Sequence, residues 1–234
     1  IEFSEVPVIK CVESRPHGAR PYEGRLWDDP MYFRPHDEII GLSQQEGYLV
    51  HKEGDNGGSP HALNLDDVLN GHKRVIVEAC PTIVSELKQF AQSYEGLKVV
   101  SVFLSPLSME QIESLKAKDV DLGKYVSELM QERLDARTKY WGKNPEDPAI
   151  KKENLSRARS AINDLSHAPE YDYVLTNRDG EGHINWHMDP NCTFSGSPEG
   201  DAAKIMEAFA KILSNGKTPP SEKWPKELIK AKSP

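Results

Sequence analysis

One stretch, residues 154–177, constrains the fold more than any other part of the sequence. Its first half places apolar residues at steps of three and four, which predicts an amphipathic helix with a charged opposite face. These apolar residues are Leu155, Ala158, Ala161, Ile162 and Leu165. Pro169 breaks the helical period, and the run from Tyr171 to Leu175 is rich in residues that favour a strand. The stretch therefore predicts that a basic helix lies beside the end of a buried strand. Open α/β sheets usually bind ligands at this end of their strands.

Strands and helices alternate through the middle of the chain, which predicts an α/β fold with a mostly parallel sheet flanked by helices. Residues 74–79 and 97–104 are apolar runs typical of buried strands. Between them, Pro81 begins an amphipathic helix that we expect to end near Gly96. Residues 6–12 predict one more strand near the start of the chain.

Further segments complete the predicted architecture. Residues from about 22 to 60 contain short extended pieces separated by turns, and we expect them to form a small β-lobe. Residues 108–165 are helical and strongly charged, and they predict an enlarged helical lid. Residues 180–188 alternate as a hairpin strand does. The domain is expected to cover residues 1–215, and the tail at 216–234 is expected to pack loosely or to bind a neighbour.

The overall charge narrows the classes of partner. There are 29 basic and 37 acidic residues, which gives a net charge of −8. A field of this sign repels a nucleic-acid backbone and an anionic lipid surface, so we expect no nucleic-acid partner. No apolar run approaches the roughly 20 residues that a bilayer crossing needs, and we therefore expect a soluble or peripheral protein, not a transmembrane one.

The cysteines and the first residue bear on the cellular location. Cys11, Cys80 and Cys192 are widely spaced and form no CxxC pattern, which favours reduced thiols in an intracellular compartment. The sequence begins with Ile1, so either the chain has been trimmed or a targeting segment has been removed. Removal of a presequence would favour a mitochondrial location, and otherwise we expect a cytoplasmic one.

Two segments carry a likeness to a known family. The first is the arginine-bearing helix, the turn Ala168-Pro-Glu-Tyr-Asp-Tyr173 and the strand that ends at Asn177. The second is the loop Arg15-Pro-His-Gly-Ala-Arg20-Pro-Tyr-Glu23. Together they resemble the guanylate kinases, which are nucleoside monophosphate kinases. The resemblance spans most of residues 11–177 and implies a guanylate kinase-like fold.

The resemblance also implies a set of ligand-binding positions, which would form a relic site for a nucleoside monophosphate. No catalytic residue and no metal ligand is assigned. The matching residues are Arg15, Arg20, Glu23, Tyr32, Ser59, Glu78, Arg157 and Asn177. In the family, the two arginines and the glutamate of the loop grip the nucleoside monophosphate, because guanidinium forks suit the geometry of a phosphate. The match at Ser59 is incomplete, since Gly57 stands where the family has tyrosine. Glu78 is similar to the acidic residue that assists guanine and metal binding in the family. Arg157 is similar to the arginine that contacts the phosphate.

One motif of the family does not occur in these 234 residues. The family needs Gly-x-x-x-x-Gly-Lys-Ser/Thr, whose amides and lysine cradle the phosphates of ATP. The nearest imitation, residues 194–201, has the wrong glycine spacing and an acidic residue in the place of the lysine, so it predicts a turn before the last helix. We expect the first strand and the phosphate loop either to be missing or to lie outside this sequence. Without that loop, phosphoryl transfer loses its main electrostatic support.

Three hypotheses of function follow. The first is a non-catalytic guanylate kinase-like domain without cofactors, which serves as an accessory subunit or interaction module and has other protein subunits as partners. The second is an ATP- and magnesium-dependent GMP kinase whose N-terminal phosphate loop is absent from this chain. The third is a sensing module that binds GMP or a phosphopeptide through Arg15, Arg20 and Arg157.

Two other groups of residues have simpler interpretations. The cations of the helical region are interleaved with acidic residues, so they predict solvated helix faces and not a phosphate clamp. These cations are Arg133, Arg137, Lys139, Lys151, Lys152, Arg157 and Arg159. His183 and His187 would share one face of a strand near Asp189 and Cys192, yet this spacing fits no closed structural zinc pattern. No metal site is therefore assigned.

Overall fold

The computed structural model describes residues 6–14, 33–52, 60–71, 74–180, 182–189, 194–214 and 221–229. The chain divides into two compact units, Ile1–Val99 and Val100–Pro234. Each unit combines helices with short strands, and parallel strand pairs occur in both, so the predicted α/β class is confirmed.

The first unit contains two sheets. Its elements are β1 (Val8–Lys10), β2 (Val12–Ser14), β3 (Phe33–Arg34), α1 (His36–Leu42), β4 (Tyr48–His51), β5 (His61–Asn64), α2 (Leu65–Leu69), β6 (Ile76–Glu78) and α3 (Pro81–Ser93). β1 and β6 pair in parallel, with Val8 opposite Ile76. The other sheet has the order β3-β2-β5-β4 and is antiparallel except between β2 and β3. The strand predicted at residues 6–12 is thus divided between the two sheets.

The core of the first unit forms where α3 packs near the β4–β5 hairpin. Pro81 occupies the first turn of α3, where its missing N–H costs nothing, and the helix buries Ile83 and Leu87. These two side chains join Leu63 of β5 and Cys11 in one buried cluster. Burial raises the pKa of the Cys80 thiol at the start of the same helix. The helix predicted after Pro81 is confirmed.

The second unit is a parallel strand pair with helices and a C-terminal segment. Its elements are β7 (Val102–Ser105), α4 (Met109–Ala117), α5 (Leu122–Tyr140), α6 (Pro148–Ser166), β8 (Tyr173–Thr176) and α7 (Gly200–Leu213), with short 3-10 helices at Ala168–Glu170 and Ile184–Trp186. β7 pairs with β8, Val102 opposite Tyr173 and Ser105 opposite Thr176. The strand predicted at residues 97–104 begins only at Val102.

Local capping chemistry fixes the starts of the three helices in the charged region. Ser108 and Gln111 form a reciprocal capping box at the start of α4. Asp121 accepts a hydrogen bond from the backbone N–H of Lys124 at α5, and Asp147 caps α6 in the same way. The helical character predicted for this region is confirmed. The prediction succeeds because these capping signals are local in sequence.

The tail contributes to the core of the second unit, contrary to our expectation of loose packing. Trp224, Leu228 and Ile229 are 2–6 % exposed and belong to the same buried cluster as Ile112 of α4 and Val126 of α5. The backbone of Glu222 forms two hydrogen bonds with Val174 of β8, and its carboxylate accepts hydrogen bonds from the Met109 N–H and the Trp224 indole. The prediction of loose packing was wrong because the apolar side chains in this proline- and lysine-rich stretch find partners far away in sequence.

The predicted hairpin strand at residues 180–188 is also wrong. Ile184–Trp186 forms a 3-10 helix, and His187 has a left-handed backbone with φ of +45°. Met188 makes an isolated antiparallel bridge to Phe194. Since the chain turns there, His183 and His187 do not share a strand face.

No helix in the described ranges combines the length and the apolar composition that a membrane crossing would require. The two longest helices, α5 and α6, carry charged residues along their exposed faces.

Candidate functional site

The candidate site lies at the carboxyl end of the β7–β8 pair. In α/β folds, the loops that follow parallel strands lie at this end, and ligands usually bind there. Ser105 ends β7, and its carbonyl accepts a hydrogen bond of 2.7 Å from the backbone N–H of Asn177. Asn177, Arg178 and Asp179 follow β8 directly. The Asn177 side chain closes this turn, because its Oδ1 accepts a hydrogen bond from the N–H of Gly180.

Arg133 of α5 is the cation that reaches this strand end. Its guanidinium donates hydrogen bonds of 2.9 Å to the carbonyls of Asn177 and Arg178, and a longer one of 3.4 Å to the carbonyl of Pro106. One side chain thus ties the loop after β7 to the loop after β8. Burial lowers the pKa of Arg133, and the nearby carboxylate of Asp179 opposes that shift, so the group remains charged at neutral pH.

Asp179 joins the same strand end to the start of α7. Its Oδ2 accepts hydrogen bonds from the Ala202 N–H at 2.9 Å and from the Asn185 amide at 3.1 Å. A carboxylate at this place satisfies a backbone N–H of the first helical turn and complements the positive end of the helix. Nearby, Arg178 pairs with Asp201 at 3.1 Å.

Asp201 is held by two cations. Hydrogen bonds from Lys204 and, second, from Arg178 lower the pKa of its carboxyl group. The ion pair with Lys204 is 2.8 Å long and lies within the first turns of α7. The contact with Arg178 joins the helix start to the loop after β8, whereas the contact with Lys204 lies within the helix.

The loop at residues 182–189 is anchored by contacts with the surrounding chain. The Trp186 indole N–H donates to the carbonyl of Gly180 at 2.8 Å, and the Tyr140 hydroxyl donates to the carbonyl of Met188. His183 lies 3.7 Å from Asp179, and His187 lies 3.6 Å from Glu199. The loop is therefore fixed between the end of α5 and the start of α7.

The eight residues of the predicted monophosphate site are distributed unevenly in the structure. Five of them lie outside the described residues, namely Arg15, Arg20, Glu23, Tyr32 and Ser59. Glu78 ends β6 in the first unit. Arg157 lies on an exposed face of α6, 3.8 Å from Glu153, and Asn177 lies beside Arg133. Their binding role stays a prediction.

Sequence reasoning assigned no site role to Arg133 or Asp179. The charge pattern predicts a solvated helix face at Arg133, but this residue follows the fully buried Val126 by seven residues and so shares its side of α5. That spacing is a signal that could have marked it as inward-facing. Asp179 lacks such a signal, because the helix that it caps begins about twenty residues later.

Among the residues that the structure describes, no three His, Cys, Asp or Glu side chains come together as a metal site would require. Cys192, which the zinc interpretation includes, lies outside them.

The arrangement at the strand end is held together by bonds within the chain. The guanidinium of Arg133 is directed at backbone carbonyls, and Arg178 is directed at Asp201. A phosphate that bound there would have to displace these partners. The sequence matches no protein-family model, no curated protein and no solved structure. The likeness to guanylate kinases therefore rests on the motifs in the sequence alone.

Proposed function

We propose that this chain is a non-catalytic guanylate kinase-like domain that serves as an accessory subunit or interaction module of a larger protein assembly. The observation that carries the proposal is the use of Arg133. At the strand end where an α/β enzyme would present cations to a ligand, this guanidinium binds the carbonyls of Asn177, Arg178 and Pro106.

Two further observations support the proposal. These 234 residues contain no Gly-x-x-x-x-Gly-Lys-Ser/Thr sequence, which a kinase of this type needs to hold ATP. Asp179, which also lies at the strand end, is engaged in capping α7 and in binding Asn185. The polar groups at this strand end thus have partners within the chain, which agrees with a role that does not depend on a ligand there.

The proposal is tested by giving the purified chain GMP, ATP and magnesium together and following ADP release in a coupled assay. We expect no GMP-dependent turnover of ATP, and sustained turnover would overturn the proposal in favour of the kinase. Calorimetric titration with GMP alone separates the third hypothesis. Saturable binding that is lost in Arg20→Ala would favour a sensing module, whereas no binding agrees with an accessory subunit.

A further inference from the structure

A cluster of polar side chains lies between the helices α5 and α6. It consists of Gln131, Asp135 and Thr138 of α5 and Asn154 of α6. The Asn154 amide donates hydrogen bonds to Asp135 Oδ1 at 2.9 Å and to Thr138 Oγ1 at 3.1 Å. The Gln131 amide donates to both carboxylate oxygens of Asp135, at 2.9 and 3.0 Å. This polar cluster therefore connects the two helices through side chains alone.

The polar cluster interrupts an apolar stripe on each helix. Apolar residues recur every fourth position along α5 and α6, as in helices that pack on a core. They are Val126, Met130 and Leu134 on α5 and Ile150, Ala158 and Ile162 on α6. Thr138 takes the next place on the first stripe, and Asn154 takes the missing place on the second. Both are buried, with 7 % and 4 % of their surface exposed, so apolar residues would fit the pattern at these two positions.

The polar cluster is not the most stabilising way to join two helices. Apolar side chains of similar volume often stabilise a protein interior as much as buried polar groups do, or more. Gln131 Oε1 is buried, and no donor in the described part of the chain is hydrogen-bonded to it, which is destabilising. Rotating the amide would not help, since its oxygen would then face the carboxylate of Asp135. Stability alone therefore does not account for these residues.

A polar pair can specify an alignment that apolar stripes leave open. Because apolar residues recur every four positions, a shift of α5 along α6 by four residues, about 6 Å, would again match apolar positions. The connection at 141–147 does not prevent such a shift, since seven residues can span up to about 24 Å. The same shift would leave the buried amide of Asn154 without its partners. A single buried asparagine fixes the register of coiled coils in this way.

We propose that the polar cluster determines the register of α5 against α6 and thereby positions Arg133. Residues 167–172 connect α6 to β8, and the carbonyls that Arg133 binds belong to Asn177 and Arg178, directly after β8. A shift of α5 by 6 Å would carry the guanidinium out of hydrogen-bonding distance of both carbonyls. Asp135 and Asn154 are thus positioning residues for the strand end. This inference goes beyond the proposed function and does not depend on it.

The test measures the alignment of the helices by the distance between two spin labels on the full chain, using double electron–electron resonance. The labels are attached at Lys124→Cys and Lys152→Cys, two exposed positions near the starts of α5 and α6. Cys11, Cys80 and Cys192 are replaced by alanine in all variants. Because helices with a short connection are antiparallel, the labels lie toward opposite ends of the pair, and their distance reports a shift along the helix axes.

The first variant exchanges two residues of α6, Ile150→Asn together with Asn154→Ile. The composition stays the same, and the asparagine moves by one step of the stripe. We expect the label distance to shorten by about 5 Å, since the moved asparagine reaches Asp135 and Thr138 only if α6 shifts by four residues. An unchanged distance would mean that apolar packing sets the register, and the proposal would be overturned.

The second variant keeps the proposal testable if the exchanged chain does not fold. It makes the polar cluster apolar by Asp135→Leu, Thr138→Val and Asn154→Leu. We expect its urea midpoint to equal or exceed that of the parent, while the distance distribution gains a second maximum about 5 Å from the first. A single parental distance, or a midpoint well below that of the parent, would refute the proposal. Gln131→Met is the control and should keep both the parental distance and the parental midpoint, because the bonds of Asn154 remain.

Discussion

Replacing Arg133 by methionine should destabilise the second unit by about 3 kcal/mol. Hydrogen bonds from a charged donor contribute about 1.5–3 kcal/mol each. Two of the three bonds of Arg133 have good length, 2.9 Å to Asn177 and 2.9 Å to Arg178. Because the side chain is only half-buried, water can rehydrate the freed carbonyls, and we take the lower figure for each bond. Methionine keeps the apolar stem, so the loss reports on the guanidinium and not on packing.

The assay is urea unfolding followed by tryptophan fluorescence, since Trp141, Trp186 and Trp224 all lie in the second unit. With a slope of about 2 kcal/mol per molar urea, the midpoint should fall by about 1.5 M in Arg133→Met. Arg133→Lys should recover about half of the loss, because a lysine cannot span both carbonyls as a fork does. Arg159→Met, on an exposed position of α6, is the control and should change stability by no more than about 0.5 kcal/mol. An Arg133→Met variant as stable as this control would refute the role assigned to Arg133.

Three shorter predictions test other parts of the second unit. Gly182→Ala should lower the melting temperature clearly more than Gly142→Ala does. Both glycines have positive φ, but only at Gly182 would a Cβ lie 2.7 Å from the Tyr140 ring. Equal shifts of the melting temperature would contradict this close approach. Trp224→Ala should cost about 3–5 kcal/mol in urea unfolding, since the indole is 2 % exposed in the core, whereas a loosely packed tail would show no effect. Asp201→Asn should destabilise the chain at neutral pH, because the folded state lowers the pKa of this carboxyl below its ordinary 3.8. The stability that the ionised Asp201 carboxyl contributes is fully present above its ordinary pKa of 3.8 and is lost as pH falls through the lowered pKa of the folded state. The unfolding curves of the variant and the parent should therefore converge in acid. A constant difference in stability down to low pH would contradict the role assigned to Asp201.

Features that depend on neighbouring residues could be predicted from the sequence. The spacing of apolar residues and the pair Asp147-Pro148 place α6 correctly, because an N-cap and a helical period are both local signals. The parallel strand pairs follow from the alternation of strands and helices in the same way.

The misplaced elements depend on contacts across long stretches of sequence. Residues 180–188 alternate as a strand does, but the positive φ of Gly180 and Gly182 and the hydrogen bond from Tyr140 bend them into a turn. Trp224 lies in a stretch whose composition is that of a linker, and only the distant core gives it a place.

The candidate site was only partly predictable for the same reason. Asn177 could be located because it ends a strand, whereas its partner Arg133 precedes it by 44 residues. The spacing from Val126 could mark this arginine as inward-facing, but only the fold shows that its partners are the carbonyls of Asn177 and Arg178.

The position of the C-terminal segment has a consequence for synthesis on the ribosome. The core of the second unit contains Leu107 and Ile112, near the start of that unit's sequence, and Trp224 and Ile229, more than a hundred residues later. Proteins are made from the N-terminus onward, so α4 and α5 emerge long before the side chains that cover them. Until the last of these residues has left the exit tunnel, the apolar faces of the nascent helices stay open to water and to chaperones. A messenger that stops before Trp224 would therefore yield a product in which the apolar faces of α4 and α5 stay exposed, although both helices and the strands β7 and β8 had been translated.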